Sequence, residues 1–196
     1  MSDPSLQTAT AADANRCLAT LTLAFASDPA SRWVWPEPQQ YLAAFPRFAQ
    51  AFGGRAFRYG TAHFHKSFSG VALWLPPGAA PDEESLIKVI EDTVADEKRG
   101  SMLLMFAQMD AAHPREHHWH LPLIGVDPTR QGRGIGSALL RDVLKLCDRQ
   151  QVAAYLEATS PRNIPLYKRH GFEEVDSIQV ADSPRITPML RVPGPH

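Results

Sequence analysis

The residues with the most chemistry to offer lie in two stretches, 118–137 and 157–172. The first contains Val126-Asp127-Pro128-Thr129-Arg130-Gln131-Gly132-Arg133-Gly134-Ile135-Gly136-Ser137, a Gln-x-x-Gly-x-Gly turn between a strand-like and a helix-like segment. Glycines there let backbone N–H groups approach one point, because no Cβ stands in the way. The free amides and dipole of a helix start favour an anion at the same place. A Walker loop is excluded, since no Lys follows the last glycine. The glycine spacing also fails the dinucleotide pattern Gly-x-Gly-x-x-Gly. The remaining chemistry is proton transfer. His120 carries an imidazole, a side chain able to take up or give a proton, Glu157 is a carboxylate, and the Tyr167 phenol is expected to stay protonated at neutral pH because the ordinary pKa of tyrosine is near 10.

The second stretch runs Glu157-Ala158-Thr159-Ser160-Pro161-Arg162-Asn163-Ile164-Pro165-Leu166-Tyr167-Lys168-Arg169-His170-Gly171-Phe172. It reads as a strand, a turn, a short helix stopped by Gly171, and a new strand. Together the two stretches resemble motifs A and B of the GCN5-related N-acetyltransferase (GNAT) superfamily, in order and at a normal separation, over roughly residues 117 to 175. The likeness is similar in kind to puromycin N-acetyltransferase-like members. It rests there on Ser-Pro-Arg-Asn-x-Pro-x-Tyr, on Ala24-Phe25-Ala26-Ser27-Asp28-Pro29-Ala30-Ser31-Arg32, and on Ala72-Leu73-Trp74.

The resemblance implies an acetyl-CoA-dependent enzyme that acetylates an amine by direct transfer. Backbone amides from Gln131 through Gly132, Arg133, Gly134, Ile135 and Gly136 to Ser137 would hold the pyrophosphate. The edge of Ile124, Gly125 and Val126 would pair with the pantetheine arm. Asn163 is a candidate for a pantetheine contact, although the commoner pattern puts an Asn seven residues before the Tyr, where Ser160 stands here. Tyr167 would protonate the leaving thiolate. His120 takes the place of a catalytic Glu in several histone-type members, and counting along one strand puts it on the same face as Val126. Glu157 is the other candidate base, with a structural carboxylate as its plainer role. Trp33, Trp35, Tyr41 and Phe45 are candidates for a flat apolar acceptor slot, with Trp119 beside the strand histidine.

The elements that position these groups follow from periodicity. A strand is expected over 6–10, a helix over 11–26, an irregular segment over 31–38, and then an aromatic helix that Pro46 should kink or restart. Strands are expected at 57–66 and 69–75, a helix capped by Asp82, and a further helix at 100–110. The strand 118–126 and the helix after the glycine turn follow. Two final strands lie near 173–180 and 185–192, and the tail from Val192 should fray. This order implies the GNAT fold, an α/β (α+β) architecture over a single domain, 1–196. Its mixed, mostly antiparallel sheet is splayed between strands 4 and 5 and flanked by helices.

Composition sets the outer limits. The chain has 196 residues, 44% hydrophobic and 21% charged, with a formal net charge of -1. That is one ordinary globular domain with no basic footprint for nucleic acid. Cys17 and Cys147 lie in helical patterns and suggest buried thiols. No leader-like apolar region follows Asp3 and no run reaches membrane length, so a cytoplasmic protein is expected, as monomer or homodimer. His113, His117, His118 and His120 raise a metal reading, but no nearby Cys or carboxylate completes a set, and none is assigned. A peptide or protein acetyltransferase and a non-catalytic CoA-binding sensor are the alternatives to a small-amine enzyme.

Overall fold

The computed structural model describes residues 5–194; the expectations resting on Asp3, Pro195 and His196 fall outside them. The chain forms β1 (Leu6–Thr8), α1 (Ala14–Ala24), α2 (Pro29–Val34), α3 (Pro38–Gly53), α4 (Ala56–Tyr59), β2 (Ala62–His65) and β3 (Gly70–Leu75). It continues with α5 (Glu83–Thr93), α6 (Asp96–Ala112), β4 (His118–Val126), α7 (Ile135–Gln150), β5 (Ala153–Ala158), α8 (Ile164–Arg169), β6 (Glu173–Glu174) and β7 (Thr187–Arg191). The strands make a seven-stranded sheet in the order β1-β2-β3-β4-β5-β7-β6. The β4–β5 pair is parallel and the others are antiparallel.

The sheet is splayed where expected. Pairing of β4 with β5 runs only from His118–Ala153 to His120–Tyr155. Beyond it, residues 121–126 keep β3 on one side, while no strand among the described residues pairs with the other edge. Two apolar cores fill the faces. Helix α7 buries Ile135, Leu139, Val143 and Cys147, one turn apart, against Trp74, Trp119 and Leu121. On the opposite face α1, α3, α5 and α6 cover Leu73, Leu75 and Leu123. The approach of α1 to β4 is close: a Cβ on Gly125 would stand 2.6 Å from the Cβ of Ala24.

Strand β4 is not regular. Leu73 pairs with Leu123 and Leu75 with His120, so Leu121 and Pro122 together oppose Trp74. This is a β-bulge, and Pro122, which has no N–H for a ladder, is suited to it. One extra residue reverses the alternation of faces. His120 therefore joins Leu123 on the face of α1 and α3, with Phe52 at 5.9 Å between ring centroids. Ile124 and Val126 instead pack on the α7 side. The expectation that His120 and Val126 share a face is thus overturned.

Other differences have local causes. The 31–38 segment is largely helical, because Asp28 caps α2 by accepting from Ser31 N at 2.9 Å and Pro29 occupies its first turn. Residues 56–59 form α4, which stops at Gly60 with φ +66° before β2 begins. Helix α3 runs through Pro46. The carbonyl left without its N–H donor belongs to Leu42, which is 57% exposed and open to water. Only Glu173–Glu174 and an Ile178–Ile186 bridge form from the expected 173–180 strand. The tail is tied down as far as Gly194, whose N–H donates to Asp148 Oδ1 at 2.7 Å.

Candidate active site

The glycine turn, the splayed edge of β4 and α8 enclose a cleft of about 440 Å³. Gly132 and Gly134 have φ of +75° and +80°, and a Cβ on either would meet nothing within 4 Å. Backbone conformation, not space, therefore demands glycine at both positions. Gly134 also caps α7, so the amides of the first turn face the cleft mouth. The Gln131 side chain donates to the Val126 carbonyl at 3.2 Å, bracing the turn against the strand end.

Ile124, Gly125, Val126, Gln131, Gly132, Gly134, Ile135, Gly136, Ser137, Asn163 and Tyr167 all line this cleft, as does Ser160. Arg133 does not; it is exposed and is not among the residues of the lining. Arg130 lies on the lining with Arg162 and Arg169, so the cations around the anion cradle come mainly from the α8 region. The sequence held a signal for these two, since both sit in the Ser160–Gly171 motif, but no role had been attached to them.

A second, narrower pocket of about 90 Å³ continues from the cleft into the splay. It shares Phe25, Asp28, Ile124, Asn163 and Tyr167 with the cleft. Its walls are Phe45, Phe48, Phe52 and Phe106 with Met102, Met105 and Met109. Of the aromatics expected to form an acceptor slot, Trp35 lines it and Phe45 joins it, whereas Trp33, Tyr41 and Trp119 do not. The Trp33 indole donates to Asp182 Oδ1 at 3.1 Å, and the Tyr41 hydroxyl donates to the Thr22 carbonyl at 2.6 Å. Trp119 lies on the α7 face, the reverse of its neighbour His120, and donates to Gln150 Oε1 at 3.0 Å. Successive strand residues point to opposite faces, so Trp119 could not accompany that histidine.

Asp28 is the site residue that sequence reasoning passed over. It is buried in the wall common to both cavities, holds α2 through Oδ1, and accepts from the Thr159 hydroxyl at 2.6 Å through Oδ2. The Asp-Pro pair was a legible helix start, yet nothing local announced that the carboxylate would meet β5. Burial pushes the Tyr167 phenol up, and Asp28 adds to the effect. Tyr167 is therefore a firmly protonated donor where cleft and pocket join.

Glu157 closes the far end of the pocket. Its side chain is 3% exposed, with Oε2 at 3.0 Å from His120 Nε2 and Oε1 at 3.0 Å from His113 Nε2. Burial by itself would raise this carboxyl, but His120 and His113 outweigh it and hold the pKa down at about 2. An ionised carboxylate only accepts hydrogen bonds, so each imidazole presents Nε2–H to it. The two candidate bases are thus one unit. Glu157 faces the narrow pocket, and His120 stands behind it. Both rings open instead on a third cavity of about 580 Å³, a vestibule bounded by α5, α6 and the 113–118 segment. The carboxylate that the 113–120 histidines lacked in the sequence comes from β5, and His113, His120 and Glu157 form a potential metal-ligating group.

Comparison with known proteins agrees with this geometry. The acetyltransferase (GNAT) domain model matches residues 82–192, more than half of the chain. An uncharacterized N-acetyltransferase of Schizosaccharomyces pombe is 25% identical over 206 residues, covering 93% of this chain and 81% of that one. A structure described as histone acetyltransferase HPA2 and related acetyltransferase, from Corynebacterium glutamicum, superposes with TM-score 0.70 at 27% identity, covering 99% and 98% of the two chains. Arylalkylamine N-acetyltransferase 2 from Aedes aegypti has the same fold at TM-score 0.67 and 15% identity, over 96% and 98% of the chains. The matched region contains the glycine turn, the splayed strand pair and Tyr167, and the chain belongs to the GNAT family of acetyltransferases.

Proposed function

We propose that this protein is a single-domain N-acetyltransferase, spanning 1–196, that moves the acetyl group of acetyl-CoA to the primary amine of a small, largely apolar molecule in a ternary complex. One observation carries the reading. An anion-cradling cleft and an apolar pocket meet at Tyr167, and the pocket ends on an ionised carboxylate. Acetyl-CoA supplies the thioester. The turn amides and Arg130, Arg162 and Arg169 would hold its phosphates, and the open edge of 124–126 its pantetheine arm.

The chain's own groups then divide the work. Aromatic and Met walls take the apolar body of the acceptor, and Glu157 draws the ammonium to the pocket floor. The ammonium proton passes through water to an Nδ1 lone pair of the His120–His113 pair, since each Nε2–H is committed to Glu157, and His113 connects that unit to the vestibule. Tyr167 returns a proton from its hydroxyl to the departing sulfur. The acceptor amine's attack needs no covalent enzyme intermediate, and no cysteine is among the residues lining either cavity.

No helix among the described residues is long and apolar enough to cross a membrane. The near-neutral charge offers no basic footprint for nucleic acid, and a cytoplasmic monomer or homodimer is proposed with the enzymatic reading. The test is thiol release from acetyl-CoA against aromatic amines, aliphatic amines, polyamines, puromycin and peptide N-termini. Turnover confined to small apolar amines upholds the proposal. Preference for peptides supports the protein-acetylation alternative. Acetyl-CoA binding without turnover on any amine reduces the protein to a sensor.

A further inference from the structure

His113, His120 and Glu157 come from three separate elements: the segment after α6, β4 before its bulge, and β5. Their nitrogen and oxygen atoms nevertheless converge within 4.8 Å of one another. Two nitrogens and a carboxylate are an established donor set for divalent transition metals. Metal–ligand bonds of about 2.1 Å span a gap near 3 Å at an angle of about 90°. Each Nε2 stands 3.0 Å from a different Glu157 oxygen, so the carboxylate would straddle the ion or turn one oxygen toward it, and tetrahedral angles need only a few tenths of an ångström more. We propose that these three side chains bind one divalent transition-metal ion of the zinc type.

The surroundings suit an ion. The vestibule reaches all three ligands, so a hydrated cation has a path and room to keep a water. His113 is the ligand nearest solvent, with 27% of its side chain exposed, while His120 and Glu157 are buried. Tyr155 lies two residues before Glu157 on the same face, its ring 4.4 Å from that of His113. Its hydroxyl is buried beside Glu157 and makes no hydrogen bond of normal geometry. An unsatisfied buried hydroxyl is costly, and a metal-bound water would give it a partner. On binding, each neutral imidazole shifts its proton from Nε2 to Nδ1, and its Nε2 lone pair goes to the ion. The two N–H···O contacts are exchanged for coordination by the same atoms.

The consequence for activity rests on the function proposed above. With the ion on Nε2 and the proton on Nδ1, the base unit would keep no free imidazole lone pair, so the loaded enzyme would be inhibited. The test uses the tag-free full chain, stripped with EDTA and dialysed, then titrated with Zn²⁺ by calorimetry and with Co²⁺ by visible absorption. One Zn²⁺ per chain at micromolar affinity or tighter, with a raised melting temperature, is the expected result. Losing even an outer-shell partner costs metal affinity about 10–100-fold, so His113→Ala should weaken binding at least tenfold. Glu157→Gln should do the same, and because His113 sits outside the sheet, its variant keeps the test alive if the buried one misfolds. His117→Ala, on the vestibule rim, should bind as the parent does. Binding no tighter than millimolar, or binding unchanged in His113→Ala, overturns the site. Zn²⁺ binding by a chain that acetylates no amine upholds the site and counts against the enzymatic reading alone. Binding without inhibition of an active enzyme removes the inhibitory consequence.

Discussion

The cleft proposed for the cofactor and the pocket proposed for the acceptor meet at the same tyrosine, yet they are built in opposite ways. The cleft is assembled from short, continuous pieces: one strand edge, one turn, one helix start and one motif around α8. Its specificity is carried by backbone amides and by two glycines whose φ only they adopt easily. The pocket is assembled from side chains of α2, α3, α6, β4, β5 and α8. Its specificity lies in shape and in the buried carboxylate at its far end, Glu157. A backbone site is written locally in the sequence, whereas a side-chain site depends on how distant elements pack.

The strongest test of this contrast is Tyr167, one of the residues that both regions share. Tyr167→Phe should lower kcat by about 10²–10⁴-fold, the usual worth of a general acid, while the KM for acetyl-CoA stays put. A loss smaller than about threefold in steady-state rates would remove Tyr167 from the proton path and leave it a packing residue. A change confined to the cleft comes next. Gly134→Ala strains a left-handed backbone position, at about 1–2 kcal/mol, and should raise the acetyl-CoA KM about tenfold. The acceptor KM should not follow; if both rise together, the two regions are not separable.

A change confined to the pocket is expected to be comparable or smaller. Phe48→Leu removes part of one wall and should raise the acceptor KM by up to about tenfold, with the acetyl-CoA KM unchanged. The smallest effect belongs to Trp33→Phe. It deletes the indole N–H that holds Asp182, and neither residue lines the pocket. Its cost is about 1 kcal/mol of stability in a melt, with acceptor KM shifted less than in Phe48→Leu. A larger kinetic effect there would extend the acceptor site beyond the pocket.

Legibility in the sequence divides along the same line. The bounds of β4, the glycine turn, α7 and the Ser160–Gly171 motif could be read directly, because each depends on residues close in sequence. The cap of α5 was equally local: Asp82 accepts from Ser85 N as its position suggested. What could not be read depended on contacts at a distance. Trp33, Trp35 and Tyr41 form one aromatic run in the sequence, but packing sends them to different partners. Glu157 and His113, 44 residues apart, meet only when the segment after α6 packs against β5. Arg162 and Arg169 reached the cleft while Arg133, inside the glycine turn, is exposed and not among the residues of its lining.

The bulge at Leu121 and Pro122 has a consequence for how such an enzyme can change. It splits one strand into two stretches that obey different phase rules. Upstream, a substitution at 118 or 120 alters what the His–Glu chamber presents; downstream, 124–126 offers its main chain to the cleft. Variation in acceptor chemistry can therefore accumulate before the bulge without disturbing the grip on the donor after it. The joint itself can absorb a change of length. Deleting Pro122 would restore one-to-one pairing, with Leu121 alone opposite Trp74 and His120 still opposite Leu75. A lost codon there would straighten the strand and leave His120 and Trp119 on the faces they now occupy, whereas a lost codon further upstream would exchange them.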